Sequence, residues 1–276
     1  MADTITRKPG LCAAERAASD YNPVFLFNVR ERCRLHKDNI FAEPLAEVEH
    51  FNFDARVAGV FDDMIERSVP GYRAIVSQTG MLTGRFAQPD THCYDLGCSL
   101  GASTFAMRAA LANTRCRLIA VDNSEAMLAR MRERLAEQPI AQPEVEIVNA
   151  DIATLALQPC SVAVLNFTLQ FIARAHRADF IARLGTAMLP GGALVLSEKI
   201  RYEDPAQHEL HIQMHEQFKR SNGYSELEIS QKREALEEVM VPESLTTHRE
   251  RLLNAGFRSV EVWFQYYNFM SLVALK

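Results

Sequence analysis

The sequence predicts an α/β fold: a mostly parallel seven-stranded sheet flanked by helices, with a helical insertion and an antiparallel C-terminal hairpin. Three observations predict it. Between residues 92 and 198, short apolar runs alternate with longer stretches at helical spacing, the pattern of βαβ units whose parallel strands are buried on both faces. Residues 204–238 interrupt that alternation with a long, polar, helical stretch containing no strand. The chain then closes with "SVEVWFQYYNFMSLVALK", two β-rich runs separated by a short turn, a hairpin rather than another crossover.

The elements follow in order. Residues 1–52 are mixed in charge and weakly periodic and read as an N-terminal extension, in which "NPVFLFNV" is expected to be a small packing element. The α/β domain is expected over 53–276. Val57, Val60, Phe61, Met64 and Ile65 recur at helical spacing, "SVPGY" punctuates, and residues 75–86 read as a second helix. Strands are predicted at 92–96, 117–121, 145–148, 161–167 and 193–198, with helices at 102–111, 124–137 and 176–188 between them. Ser124 is a suitable N-cap and "LPGG" at 189–192 a helix stop. After the insertion at about 204–238, residues 244–255 form one more helix, stopped by Gly256.

A chain of 276 residues at 48% hydrophobic is long enough to bury a substantial core. Its net charge of −5 argues against gripping a phosphate backbone, so no direct nucleic-acid binding is expected. The six cysteines (Cys12, Cys33, Cys93, Cys98, Cys116 and Cys160) include no Cys-x-x-Cys pair, which fits reduced thiols in the cytoplasm. Nowhere do about 18 apolar residues run together, and the first residues lack the apolar stretch of a secretory signal. A cytoplasmic protein without a membrane span is expected.

The informative stretch is "YDLGCSLG". A strand ends in Asp95, and a turn bracketed by Gly97 and Gly101 leads into a helix. Glycines there let the backbone approach a ligand, and the helix N-terminus offers free N–H donors. Asp122 ends the second strand 21 residues after Gly101, where an acid accepts the hydroxyls of an adenosine ribose. Asp151, in "NADI" after the third strand, is placed for the adenine edge. Dinucleotide sites use Gly-x-Gly-x-x-Gly, whereas this turn is Gly-x-x-x-Gly with Ser99 in its middle. That suits a mononucleoside without phosphates, and S-adenosylmethionine is the expected cofactor. The terminal hairpin agrees, since it matches the Rossmann-like sheet of class I S-adenosylmethionine-dependent methyltransferases.

From Phe53 to Lys276 the chain resembles the carboxy-S-adenosyl-L-methionine synthases of the bacterial tRNA wobble-uridine route. The likeness rests on "ERSVPGY", "YDLGCSLGAST", "VDNSEAM", "VLNFTLQFI", "GGALVLSEK", "FKRSNGYSELEISQKRE" and the ending "WFQYYNF-SLVALK". It implies a transferase that converts S-adenosylmethionine to carboxy-S-adenosylmethionine, with prephenate as carboxyl source and phenylpyruvate released. It further implies a homodimer, no metal, and a partner enzyme that passes the carboxymethyl group to tRNA.

The resemblance also implies roles. Tyr72 would lie over the cofactor, and Gly97, Cys98 and Ser99 would line its methionine and ribose side. Asp122 would hold the ribose hydroxyls beside Asn123, Asp151 and Ile152 would frame the adenine, and Asn166 would face the reacting end. Arg233, from this subunit or its dimer mate, would clamp the new carboxylate. A sulfonium acidifies its methyl protons, giving an ylide carbon able to capture carbon dioxide from prephenate. Hydroxide lost by prephenate is the expected base. The product gains one carboxylate, which a guanidinium fork meets with two parallel charge-assisted bonds.

Other groups are assigned plainer roles. His208, His211 and His215 share one helical face, read as solvated or as an interface because no acidic partner sits at zinc spacing. Cys98 is read as packing, Glu198 as a capping carboxylate, and the aromatics Trp263, Phe264, Tyr266, Tyr267 and Phe269 as strand packing. Two other functions compete: an ordinary small-molecule methyltransferase, which leaves Arg233 without a role, and a non-catalytic cofactor-binding subunit.

Overall fold

A computed structural model describes residues 36–138 and 143–276; "NPVFLFNV", Cys12 and Cys33 lie outside the described residues. The predicted fold class is the one observed. Seven strands, β1 (His92–Leu96), β2 (Arg117–Asp122), β3 (Val145–Asn149), β4 (Cys160–Asn166), β5 (Met188–Lys199), β6 (Ser259–Tyr266) and β7 (Phe269–Leu275), lie in the order β3-β2-β1-β4-β5-β7-β6. The first five run parallel, and β7 inserts antiparallel between β5 and β6. From β1 the chain crosses to β2 on one side, while β4 takes the other. That reversal opens a crevice beyond Leu96, Asp122 and Asn166, where such sheets bind ligands.

The strands are apolar runs because both faces are covered. Residues Ser161 to Leu165 of β4 are completely buried. Leu96, Leu165, Leu194 and Phe180 pack on one side of the sheet, and Met107, Leu118, Leu128 and Val195 on the other.

The helices are α1 (Ala55–Ser68), α2 (Tyr72–Phe86), α3 (Ala102–Ala110), α4 (Glu125–Glu137), α5 (Arg174–Ala187), α6 (Pro205–Ser221), α7 (Glu226–Glu237) and α8 (Leu245–Asn254). Ser124 caps α4 as predicted, its hydroxyl accepting the Met127 N–H at 3.2 Å. The predicted helical stretch over 204–238 is two helices. Gly223 takes a left-handed φ of 83° that ends α6, and Ser225 with Glu228 forms a reciprocal capping box that starts α7.

The described part of the N-terminal stretch, residues 36–52, packs against α1, α4 and α7. Phe41 and Phe51 are buried with Met64, Met127 and Ala235. The Gln231 amide donates to the carbonyls of Phe41 and Glu43 and accepts the Leu45 N–H, which pins α7 in place. Among the described residues no helix is long and apolar enough to cross a membrane.

Candidate active site

A cavity of about 640 Å³ opens at the carboxyl ends of the strands, and α1, α6 and α7 supply its far walls. All ten sequence-predicted site residues line it: Tyr72, Gly97, Cys98, Ser99, Asp122, Asn123, Asp151, Ile152, Asn166 and Arg233.

The turn owes its shape to close packing. Gly97, Ser99 and Gly101 all have positive φ, at 84°, 51° and 88°. A Cβ on Gly97 would fall 2.3 Å from Cγ2 of Thr168, so no side chain fits there. The Gly97 and Cys98 N–H groups donate to the Val121 carbonyl at 2.8 and 3.0 Å, tying the turn to β2. Asp122 then grips the turn: Oδ2 accepts the Ser99 N–H and Oδ1 the Ser124 N–H, each at 2.9 Å. Burial raises its pKa, and the backbone donors oppose that rise. Each carboxylate oxygen keeps a second lone-pair direction for a ligand hydroxyl.

Behind the turn, Asp95 is buried and accepts the Thr104 hydroxyl; burial pushes its pKa up to about 7. Cys98 packs its sulfur 3.7 Å from that of Met131, and burial raises the thiol pKa well above its usual value. It is a packing residue, not a thiolate nucleophile.

Asn166 is less free than a residue facing a reacting group would be. Its Nδ2 donates to Ser103 Oγ at 2.8 Å and Thr79 Oγ1 at 3.1 Å, while Oδ1 accepts from Ser197 Oγ at 2.7 Å. Its amide positions the α2, α3 and β5 walls. Tyr72 packs its ring 6.5 Å from that of Phe167, and burial raises the phenol pKa. Asp151 is exposed at the edge and accepts the Ala153 N–H at 2.8 Å, with buried Ile152 beside it. Arg233 stands at the rim with a 66% exposed side chain, paired to Glu216 at 3.2 Å.

Comparison with known proteins decides the family. Residues 94–192 match a methyltransferase domain family. The carboxy-S-adenosyl-L-methionine synthase of Ectopseudomonas mendocina (strain ymp) is 57% identical over 241 residues, 86% of this chain and 98% of that protein. The synthase of Geobacter sp. (strain M21) is 54% identical over 239 residues, 87% of this chain and 98% of its own length. The chain belongs to the carboxy-S-adenosyl-L-methionine synthase family. It is a transferase. The fold is also that of human N-acetylserotonin methyltransferase, solved with S-adenosylmethionine, at a TM-score of 0.54 and 15% identity over 90% of this chain and 64% of that one.

The chain carries a second group of cavity residues that the sequence reading did not single out. Lys199 ends β5, Lys219 and His215 come from α6, and Lys232 from α7, all lining the cavity. Burial pushes Lys199 down to about 8 and Lys219 down to about 7. Lys232 reaches Asp38 at 3.3 Å and Ser68 Oγ at 3.0 Å. One signal was available: Lys199 sits at a strand's carboxyl end, as Asp122 does.

Two plainer expectations are settled by geometry. The solvated reading of the histidine face is corrected for His215, which is buried and held by the Ser68 carbonyl 2.8 Å from Nε2, so Nε2 carries the proton. His211 stacks on Tyr202 at 4.2 Å, and no group of three metal-ligating side chains occurs among the described residues. Glu198 is buried and accepts the N–H groups of Leu169 and Gln170, each at 2.9 Å, capping the short 3-10 turn Leu169–Phe171. It stands outside the cavity lining.

Proposed function

We propose that this transferase converts S-adenosylmethionine into carboxy-S-adenosylmethionine, with prephenate as carboxyl donor and phenylpyruvate as co-product. The observation that carries the reading is one cavity holding the Asp122 carboxylate at the strand tips and the Arg233 guanidinium from the insertion. An ordinary methyl transfer leaves that guanidinium without a partner in the product.

The residues fit an adenosyl ligand. Asp122 has acceptor capacity for two ribose hydroxyls, Gly97 leaves its side of the turn bare, and Ile152 offers an apolar surface to a purine. When bound, the cofactor supplies a sulfonium-activated methyl carbon that exchanges one proton for the donor's carboxyl carbon; the donor's hydroxide takes that proton and leaves as water. Arg233 would then exchange Glu216 for the new carboxylate, a charge-assisted pairing worth about 1.5–3 kcal/mol per bond.

The same reading includes a cytoplasmic homodimer and delivery of the product to an enzyme that modifies the wobble uridine of tRNA. The net charge of −5 supports leaving RNA contact to that enzyme. Mass spectrometry of the protein incubated with S-adenosylmethionine and prephenate tests the reaction. A cofactor-derived species heavier by one carbon dioxide is expected, and unchanged cofactor overturns the reading.

A further inference from the structure

We propose that Lys199 and Lys219 form the subsite that holds the carboxylates of the second substrate, and that this subsite selects a dianion over a monoanion. The inference rests on the reaction proposed above, since it assigns that reaction's donor a place.

The charges around the inner cavity do not balance. Of the cations there, Lys232 is paired with Asp38 and Arg233 with Glu216, which Arg220 also approaches at 3.4 Å. Lys199 and Lys219 have no hydrogen-bond or ion-pair partner for Nζ among the described residues, although Lys219 is only 9% exposed. Neither Nζ is sealed away from solvent, so both ammonium groups face the cavity, where two like charges in each other's field favour an anion. Sites that keep such groups are organised for a ligand of opposite charge.

A second observation concerns neutral polar atoms of the same wall. Asn268, in the turn between β6 and β7, is 1% exposed, lines this cavity, and has an Oδ1 without a partner. His208 Nδ1, also on the cavity lining, is likewise buried and unpartnered. Asn268 Oδ1 can only accept, so a hydroxyl of a bound ligand or a water, and not a carboxylate, would satisfy it once the wall adjusts. Phe269 pairs with Lys199 across the sheet, and its ring lies 4.8 Å from that of His215 and 6.0 Å from that of Phe167, which packs on Tyr72; these contacts link the subsite to the Tyr72 side of the cavity.

The preference for two charges follows. A dianion neutralises both ammonium groups, whereas a monoanion leaves one unpaired. The proposed donor has two carboxylates and its ketoacid product one, so the reaction itself removes one ion pair and favours release. Donor binding also depends on pH. The groups facing Lys219 are Lys199 from β5, Glu216 from α6, and Lys232 and Arg233 from α7; Lys199 faces Glu216. His215 and Arg201 complete the wall. As pH rises through about 7 to 8 the lysines lose their protons, and the KM for the donor rises while cofactor affinity does not follow.

The test uses Lys199→Met and Lys219→Met, with exposed Lys37→Met as control and Lys219→Arg to restore the charge. At saturating S-adenosylmethionine, each methionine variant is expected to raise the KM for prephenate by about tenfold or more, with cofactor Kd within about twofold of the parent. Lys219→Arg recovers most of the loss, and Lys37→Met changes nothing. Calorimetry in the presence of S-adenosylhomocysteine, which has no methyl group to react, reads binding directly. Prephenate is expected to bind more tightly than phenylpyruvate, and the difference to collapse in the methionine variants. Turnover by the parent with an unchanged prephenate KM in both variants overturns the subsite and leaves the reaction standing. Lysine-dependent prephenate binding without a carboxylated product overturns the reaction and leaves the subsite standing. Equal affinity of the parent for the two acids, or no binding of either, overturns the subsite.

Discussion

Asp122 Oδ2 accepts the backbone N–H of Ser99 at 2.9 Å, so the acid at the end of β2 holds the centre of the glycine turn after β1. One side chain therefore shapes the loop and lines the cavity. Asp122→Ala removes an acceptor from two backbone donors and from the ribose together. Its Kd for S-adenosylmethionine is expected to rise about a hundredfold by calorimetry, whereas Asp122→Asn, which keeps one acceptor, loses less. An alanine variant binding as tightly as the parent would place the cofactor elsewhere.

Gly97→Ala puts a methyl group against Thr168 and forces an L-residue to a φ of 84°. The expected loss is about 1–3 kcal/mol in urea denaturation, together with weaker cofactor binding. Adding Thr168→Gly relieves the clash but not the backbone strain, so only part of the stability returns. Full recovery would show that the left-handed backbone costs nothing.

Arg233→Leu separates binding from folding. Its side chain is largely exposed and Glu216 keeps Arg220 at 3.4 Å, so stability should change by less than about 1 kcal/mol. Retention of carboxy-S-adenosylmethionine is expected to weaken about tenfold to a hundredfold, with S-adenosylmethionine nearly unaffected. Equal losses for both ligands would remove the carboxylate clamp.

His248 is buried, both ring nitrogens lack partners, and burial pushes its pKa down to about 4. Because the folded pKa lies below the unfolded one, the unfolded chain takes up the proton first and stability falls as pH drops from about 6.5 towards 4. Glu198 works in the opposite sense. Its pKa is raised to about 8, so its contribution is lost as pH rises. Comparing the parent with His248→Leu cancels that background. Between about pH 6.5 and pH 5 the variant should lose roughly 2 kcal/mol less than the parent in urea titrations. Parallel curves would mean that His248 titrates normally.

The fold and the strand-tip half of the cavity were readable residue by residue, because their causes are local. A buried parallel strand must be an apolar run, and Asp122 and Gly97 act within a few residues of the strand ends that define them. The break between α6 and α7 was legible in "SNGYSELE", where Gly223 stops one helix and Ser225 caps the next, yet a continuous polar pattern concealed it. Arg177 was not legible. It lies on α5 among polar neighbours, but is 1% exposed and pairs with Glu243 at 2.6 Å, a residue 66 positions later.

The inner wall is the clearest case of that divide. Composition and spacing are enough to specify strands, turns and caps, since each depends on dihedral preference and burial along a short stretch of chain. Whether a lysine is a solvated surface charge or part of a cavity wall depends on what distant segments bring beside it. Lys199, Lys219 and Asn268 are separated by up to 69 positions and meet only because β5, α6 and the last turn converge. Electrostatic energy depends on distance and local dielectric, and folding alone sets both.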